Sequence, residues 1–382
     1  MKHSSTKVVI QQPALPKYRI PVFRALAQHP DIQLRVIYAA EKGSPPNIAA
    51  DGFESQFEPM WQARIFGVPI YWHTAQWKYA TIQGADVLIL SWDLHYASLV
   101  PALLRARKNG VATILWGHGY SKRERGWRKV LRQSVARLAC ALMFYNQRAA
   151  QVYLDMGWDP SRIHVAQNSL DQAPIEEARR FWLGNPHMLS KFKREHDLDG
   201  SRVVLFVSRL DKSNRVDLLL QASSSLIADG MRNLKIVIIG DGPTRLELIN
   251  LAKNLGIESQ VYFPGSMYEE RELAPWFLPA NVFCYPANIG LSLLHAFGYG
   301  LPVVTGNRIE SQNPEIEALD DGENGLLFED GNADSLAEAL MRVLNNQDLA
   351  ASMSASALDT VRGRFSLDNM VAGMVGAIKY CA

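Results

Sequence analysis

At the end of one apolar run the chain reads LWGHGYSK, with His118 standing between two glycines. A histidine in a tight loop at the carboxyl end of a strand can exchange a proton or a hydrogen bond with a ligand. An ordinary loop histidine is the alternative. A second group follows Val203–Val207, where Ser208, Arg209 and Leu210 lead to Lys212, Asn214 and Arg215. A guanidinium at such a place can hold a diphosphate through paired hydrogen bonds, or it can be a solvated surface charge. In a third stretch Ile236–Ile239 runs into Gly240-Asp241-Gly242-Pro243, and Thr244–Asn254 then reads as a helix. Glycines let the backbone turn sharply after a strand, and a following helix start offers unpaired N–H groups to an anion. The fourth is Asn288-Ile289-Gly290-Leu291, opening an apolar helical stretch that contains His295, with no acidic residue from Val282 to Arg308. His295 is either a satisfied core histidine or the remnant of a ligand site. Near the start, PALPKYRIPVF holds Lys17, Tyr18 and Arg19, suited to meeting phosphate, though Arg19 can equally pair on the surface.

The elements that must position these groups are short. Val8–Gln11, Leu34–Tyr38, Val87–Ser91, Thr113–Trp116, Leu142–Tyr145 and Ile163–Ala166 are apolar runs in the first half. Val203–Val207, Ile236–Ile239, Val261–Phe263, Val282–Tyr285, Val303–Thr305 and Leu326–Phe328 are their counterparts in the second. Runs this short, separated by stretches of helical periodicity, predict strand–helix–strand units and buried parallel sheets. The fold class expected is α/β, two doubly wound Rossmann-like domains with a ligand cleft between them. The first domain is expected over 1–172, a linker over 173–200 around Pro174 and Pro186, and the second domain over 201–365. An amphipathic helix from about Ser366 to Tyr380, within 366–382, is expected to pack back on the first domain.

The 382 residues are 48% hydrophobic and 20% charged, with a formal net charge of +2. This is the balance of a globular protein, and the small net charge gives no reason to expect nucleic acid as a partner. Cys140, Cys284 and Cys381 show neither metal-ligand spacing nor a disulfide framework. No strand-terminal aspartate pair or histidine cluster suggests a metal site, and Asp197–Asp199 reads as a polar turn. A cytoplasmic protein is expected, because no signal peptide or uncharged membrane span is visible. Lys122, Arg123, Arg125, Arg128, Lys129, Arg132 and Arg137 against Glu124 make one stretch strongly basic. Trp127, Val130, Leu131, Ser134 and Leu138 share a helical face there, so 122–138 suits peripheral contact with an anionic membrane or, equally, an ordinary domain helix.

From about Val203 to Phe365 the chain resembles the nucleotide-binding domain of GT-B glycosyltransferases of family four, through LFVSRLDKSNRVDLLLQA, IVIIGDGPTRLEL, VYFPG, GLSLLHAFGYGLPVV and DGENGLLFEDGNADSLAEAL. The first half resembles it more loosely, through TILWGHG, ALMFYNQRAAQVYLDMGW and IHVAQNSLD. The resemblance implies a metal-independent, retaining transfer of a sugar from a nucleotide-diphosphate donor to a glycan or lipid-linked acceptor, with no cofactor beyond that cosubstrate. It implies that His118 faces the donor sugar and that Arg209 stabilises the leaving diphosphate. Lys212, Arg215, Gly240, Gly242, Asn288, Ile289, Gly290, Leu291 and His295 would then line the donor site. Glu315 matches an acidic position that contacts ribose or sugar hydroxyls, with Glu317 one helical step away. Lys17, Tyr18 and Arg19 would face the acceptor. Three departures stand out: relatives carry glutamates where Ala287 and His295 stand, and often a lysine at Asn214. These make a non-catalytic nucleotide-sugar-binding or scaffold protein the second reading; a nucleotide-sugar epimerase is a further alternative, but it would need acid/base carboxylates in the cleft, and the obvious ones are missing.

Overall fold

Apolar runs rich in β-branched residues, buried on both faces, form the central strands of two parallel sheets. The computed structural model describes residues 5–39, 51–120 and 126–382. They fall into two units, Met1–Asn168 with Leu367–Ala382, and Ser169–Ser366.

The first unit alternates β1 (Thr6–Gln12), α1 (Ile20–Ala27), β2 (Ile32–Tyr38), β3 (Glu54–Phe57), β4 (Met60–Ile65), β5 (Val68–His73), α2 (Thr74–Lys78) and β6 (Val87–Ser91). It continues with α3 (Leu99–Lys108), β7 (Ala112–Gly117), α4 (Gly126–Ala136), β8 (Ala141–Phe144), α5 (Gln147–Asp155) and β9 (Ile163–Val165). Seven strands form one sheet in the order β3-β2-β1-β6-β7-β8-β9. Every neighbouring pair in it is parallel. Alternate residues supply a core on each face, Val9, Leu88 and Leu115 on one and Val8, Ile89 and Ile114 on the other. Strands β4 and β5 form a separate antiparallel hairpin.

The second unit opens with α6 (Ala173–Leu183) and α7 (Pro186–Glu195), followed by β10 (Arg202–Val207), α8 (Val216–Ala228), β11 (Leu234–Ile239), α9 (Arg245–Asn254) and β12 (Val261–Gly265). Then come α10 (Glu270–Phe277), β13 (Val282–Cys284), α11 (Ser292–Gly298), β14 (Val303–Gly306), β15 (Gly325–Phe328), α12 (Ala333–Leu344) and α13 (Gln347–Arg362). Its six strands run β12-β11-β10-β13-β14-β15, all parallel. Every apolar run read from the sequence is a strand of one of these sheets. The stretch 173–200, read as a linker, is instead two helices of the second unit. Pro174 and Pro186 begin those helices, where a missing N–H costs nothing, and Ile175 and Ala178 enter the unit's core.

The last helix, α14 (Leu367–Cys381), belongs to the first unit. Met370, Met374 and Ile378 share a core cluster with Val22, Phe23 and Leu26 of α1. A Cβ on Gly373 would lie 2.0 Å from the Val165 carbonyl oxygen of β9. Gly373→Ala gains at most about 1 kcal/mol of helix propensity, whereas overpacking costs about 1–3 kcal/mol. The variant is therefore expected to be destabilised, with faster proteolysis at the C-terminal helix; unchanged proteolysis and thermal stability would refute the close approach.

Candidate functional site

The site in the second unit grows from the carboxyl ends of β10, β11 and β12. After Val207 the backbone turns at Ser208, and the loop after β11 lies against it. A Cβ on Gly240 would stand 1.9 Å from the Ser208 carbonyl oxygen, and one on Gly242 2.5 Å from that of Leu210. Side chains are excluded at both positions. The two loops are tied together by Leu210 N–H to the Asp241 carbonyl at 2.9 Å and by the Thr244 hydroxyl to the Leu210 carbonyl at 2.7 Å. A cavity of about 560 Å³ opens above them, lined among others by Ser208, Arg209, Gly240, Asp241, Met267 and Tyr268. Its size suits a nucleotide-sized ligand. Tyr268, 82% exposed, presents its ring there. Met267 and Tyr268 were not singled out in the sequence, although only Ser266 separates them from the VYFPG run.

Arg209 is exposed, with its Nε 3.0 Å from Asp211. Asn214, where relatives often have lysine, is buried and donates to the Arg209 carbonyl at 2.6 Å. It holds the backbone that carries Arg209 rather than supplying charge. Lys212 and Arg215 line a different cavity, of about 630 Å³, with Asp217, Thr244 and Glu247. Arg215 grips Asp217 through Nε and Nη2 at 3.1 Å, and that hydrogen bond raises its pKa against the opposing effect of burial.

The turn before α11 joins the first cavity's edge through Ser292, whose hydroxyl donates to the Val207 carbonyl at 3.4 Å. Asn288 takes a left-handed conformation, φ 62°. The Ile289 N–H, expected to face an anion, is donated to Gln312 Oε1 at 2.7 Å, so it serves the turn itself. Asn313 donates to the Asn288 carbonyl at 3.0 Å. Glu315 is buried, and its Oε2 lies 3.7 Å from where a Cβ on Gly290 would stand. The structure thus brings Asn288, Ile289, Gly290, Leu291 and Glu315 together beside the end of β10.

His295 turns elsewhere. Its Nε2 lies 3.0 Å from both carboxylate oxygens of Glu270, on α10, and the Tyr299 hydroxyl donates to the same carboxylate at 2.9 Å. Phe277 packs edge-on at 4.7 Å. Of the two readings open in the sequence, this geometry favours the core histidine over the donor contact. Burial alone would raise the Glu270 carboxyl, but the hydrogen bond and charge of His295, with Tyr299, outweigh it and hold the pKa below its usual value. A depressed carboxylate stabilises the fold above its unfolded pKa, and that contribution is lost as pH falls through the folded value. Glu270→Gln should therefore weaken the second unit at neutral pH and flatten its acid sensitivity, read by hydrogen exchange in α10 and α11. Equal protection in variant and parent at neutral pH would show that the pair contributes nothing.

In the first unit, His118 is exposed at the carboxyl end of β7, its ring 4.9 Å from that of Tyr145. Lys17 and Tyr18 are exposed. Arg19 is buried, its guanidinium 4.7 Å from the Trp116 ring and 5.0 Å from that of Tyr145, with Nη1 3.9 Å from Met370 Sδ. Its role is to join α14 to the sheet, because cation–π contact replaces the water it has lost. Lys122, Arg123, Glu124 and Arg125 lie outside the described residues. Arg128, Lys129 and Arg132 lie on α4, which turns Arg132, Val135 and Ala136 inward and exposes Trp127, Val130 and Leu131, and Arg137 follows its end. Among the described residues, no helix is long and apolar enough to cross a membrane, and no three His, Cys, Asp or Glu are grouped to hold a metal ion.

Two doubly wound units, one with a cavity of about 560 Å³ at its strand ends, place the chain among two-unit α/β proteins built on parallel sheets. Residues 190–359 match the family described as glycosyl transferases group 1. Over that stretch, somewhat less than half of its length, the chain is similar to that family, and its fold is similar to those of solved glycosyltransferases. It is 27% identical over 184 residues to an N-acetyl-alpha-D-glucosaminyl L-malate synthase of Bacillus anthracis, covering 48% of this chain and 47% of that protein. It is 25% identical over 205 residues to a GDP-mannose-dependent alpha-(1-6)-phosphatidylinositol monomannoside mannosyltransferase of Mycobacterium tuberculosis, covering 51% and 52%. The chain therefore spans about half the length of the relatives it matches. In fold it is similar to the Anabaena protein HepE, solved with UDP, at TM-score 0.73 and 15% identity over 98% of this chain and 99% of that one.

Proposed function

We propose that the protein transfers a sugar from a nucleoside-diphosphate donor to a glycan or lipid-linked acceptor, with retention of configuration and without a metal ion. The observation that carries this reading is the 560 Å³ cavity in which Arg209 and the glycine loop meet at the strand ends. Arg209 lies where a diphosphate would need charge, Tyr268 offers a face on which a nucleobase can stack, and Glu315 is a carboxylate suited to paired hydroxyls. In retaining transfer the leaving phosphate can accept the acceptor's proton, so the absence of carboxylates at Ala287 and His295 is tolerable. What remains essential is stabilisation of the departing charge, which Arg209 supplies. His118 and the Lys17–Tyr18 pair complete the reading from the first unit, on the sugar and acceptor sides. The activity belongs to the assembly of surface glycans or glycolipids, and a basic α4 suits work at the cytoplasmic face of a membrane.

The test is nucleotide release over a panel of nucleotide sugars, with and without EDTA. Turnover is expected to persist in chelator; loss restored by Mg²⁺ or Mn²⁺ would overturn the metal-free part. Arg209→Ala should weaken nucleotide binding about ten-fold by calorimetry, the lower end for a charge-assisted contact at an exposed side chain. Unchanged affinity would remove Arg209 from the site. A second reading, a non-catalytic nucleotide-sugar-binding protein, is favoured by the structural hydrogen bonds of Asn214 and His295. Tight nucleotide binding with no release from any donor would select it.

A further inference from the structure

Two cysteines far apart in the sequence meet on the first unit. Cys140 stands between α4 and β8, and Cys381 ends α14, which packs along β7, β8 and β9. Their thiols are hydrogen-bonded to one another, Cys381 donating and Cys140 accepting. Both are half-buried, within reach of small solutes, whereas Cys284 is fully buried in the second unit.

The surroundings hold both sulfurs in place. The Cys140 N–H donates to the Thr113 carbonyl at 2.8 Å, and its own carbonyl accepts from Arg162 Nε at 3.1 Å. Arg162 also donates to the Ala139 carbonyl and lies 5.4 Å from the Trp158 ring, so its charge is fixed beside the pair. Asp159, the carboxylate near that charge, is engaged by the Ser161 N–H at 2.9 Å and hydroxyl at 2.8 Å. Ser161 Oγ lies 3.3 Å from the Tyr380 hydroxyl, which sets the last turn of α14 against the turn Pro160–Arg162.

The pair is asymmetric. The hydrogen bond from Cys381, with the Arg162 charge, draws the Cys140 thiol below its usual value against the opposing effect of burial. The same hydrogen bond, with burial, pushes Cys381 up. A lowered, accessible thiol is a nucleophile, and a second thiol beside it is placed to resolve the oxidised product. Cysteines that merely fill a core are the alternative, and Cys284 is that case, raised by burial alone.

We propose that Cys140 and Cys381 are a peroxide-oxidised dithiol, whose reversible disulfide fastens the end of α14 to β8. The Cys140 thiolate attacks one oxygen of hydrogen peroxide, the O–O bond breaks, and Cys140 becomes a sulfenic acid as the other oxygen leaves as water. The Cys381 sulfur then attacks the Cys140 sulfur, expelling a second water and closing the S–S bond. In balance, two thiols give up two electrons and two protons, and one peroxide becomes two waters. A thiol reductant such as glutathione reverses the step by exchange. In a reducing compartment such a disulfide is a transient sensor rather than a permanent brace. The cross-link encloses the whole second unit in one covalent loop, so oxidation decides whether the chain's return to the first unit is fixed. It involves no residue of the nucleotide cavity and stands whether or not the transfer reading does.

The experiment treats the full chain with hydrogen peroxide, counts thiols and maps disulfide-linked peptides by mass spectrometry. Two of the three thiols are expected to be lost, a Cys140–Cys381 linkage to appear, and dithiothreitol to restore both. Limited proteolysis at α14 should slow about ten-fold on oxidation of the parent, and not at all in Cys140→Ser. In Cys381→Ser the Cys140 sulfenic acid has no resolving partner and should accumulate, trapped by dimedone. Mapping the parent chain keeps the test decisive even where a serine variant fails to fold. Absence of the Cys140–Cys381 linkage, linkage only between chains, an oxidised parent cleaved as fast as the reduced one, or a folded Cys381→Ser that dimedone does not label overturns the proposal.

Discussion

Between pH 6.5 and 4 the first unit is expected to lose roughly 3 kcal/mol of stability through one side chain, His73, whose pKa is pushed down to about 4. Burial is the cause: the ring is fully buried at the end of β5, and the neighbouring Glu58 charge and Gln12 backbone, which favour protonation, do not compensate. Glu58 is itself engaged by Lys78 at 2.7 Å and by the Thr74 hydroxyl at 3.2 Å. The sign follows from proton counting. Above the ordinary value of 6.5 the histidine is neutral in both states and stability is complete. As pH falls towards 4 the unfolded chain takes up a proton that the folded one refuses, and stability drains away until the folded ring also protonates. The two-unit chain is not expected to unfold in one step, so hydrogen exchange in the strands of the first sheet is the proper readout. His73→Gln cannot protonate and should flatten the dependence across this window. An unaltered pH profile in that variant would place the acid sensitivity elsewhere.

The central strands and the glycine loop were legible because their causes are local. Val203–Val207 and Ile236–Ile239 are buried on both sides, so the run itself signals the strand, and a strand's end is where Arg209 and Gly240 must project. The hairpin was not legible, since its apolar residues face outward and its pattern opposes the rule used to find strands. Pro174 and Pro186 look alike as breakers and as helix starters; only the packing of Ile175 and Ala178 decides between them. The partner of His295 is a carboxylate 25 positions earlier on another helix, invisible to any reading of the stretch around it. Arg19 owes its burial to Trp116, Tyr145 and Met370, which come from three distant parts of the chain. Asn214 illustrates the same limit: the sequence shows a missing lysine, and the structure shows a hydrogen bond that holds the Arg209 backbone.

His118→Ala is expected to lower turnover about a hundred-fold while leaving donor affinity within a factor of about three. The ring is exposed at the carboxyl end of β7, beside Tyr145, on the edge of the sheet where parallel α/β folds receive ligands. In the proposed reaction the glycosyl bond stretches before the acceptor arrives, and charge grows on the sugar ring and the departing phosphate. A hydrogen bond from His118 to a sugar hydroxyl strengthens as that charge develops, so its loss falls mainly on kcat, and removing one such preorganised donor typically costs about two to three powers of ten. A merely structural histidine would act differently, disturbing the loop and reducing stability and affinity together. His118→Gln keeps a donor near the same place and should recover part of the rate, a rescue that a loop-filling role would not show. Calorimetry for donor affinity and initial rates for kcat and KM separate the cases. Full turnover in His118→Ala, with donor binding intact, would show that this histidine takes no part in transfer and would leave Arg209 as the principal charge acting on the leaving group.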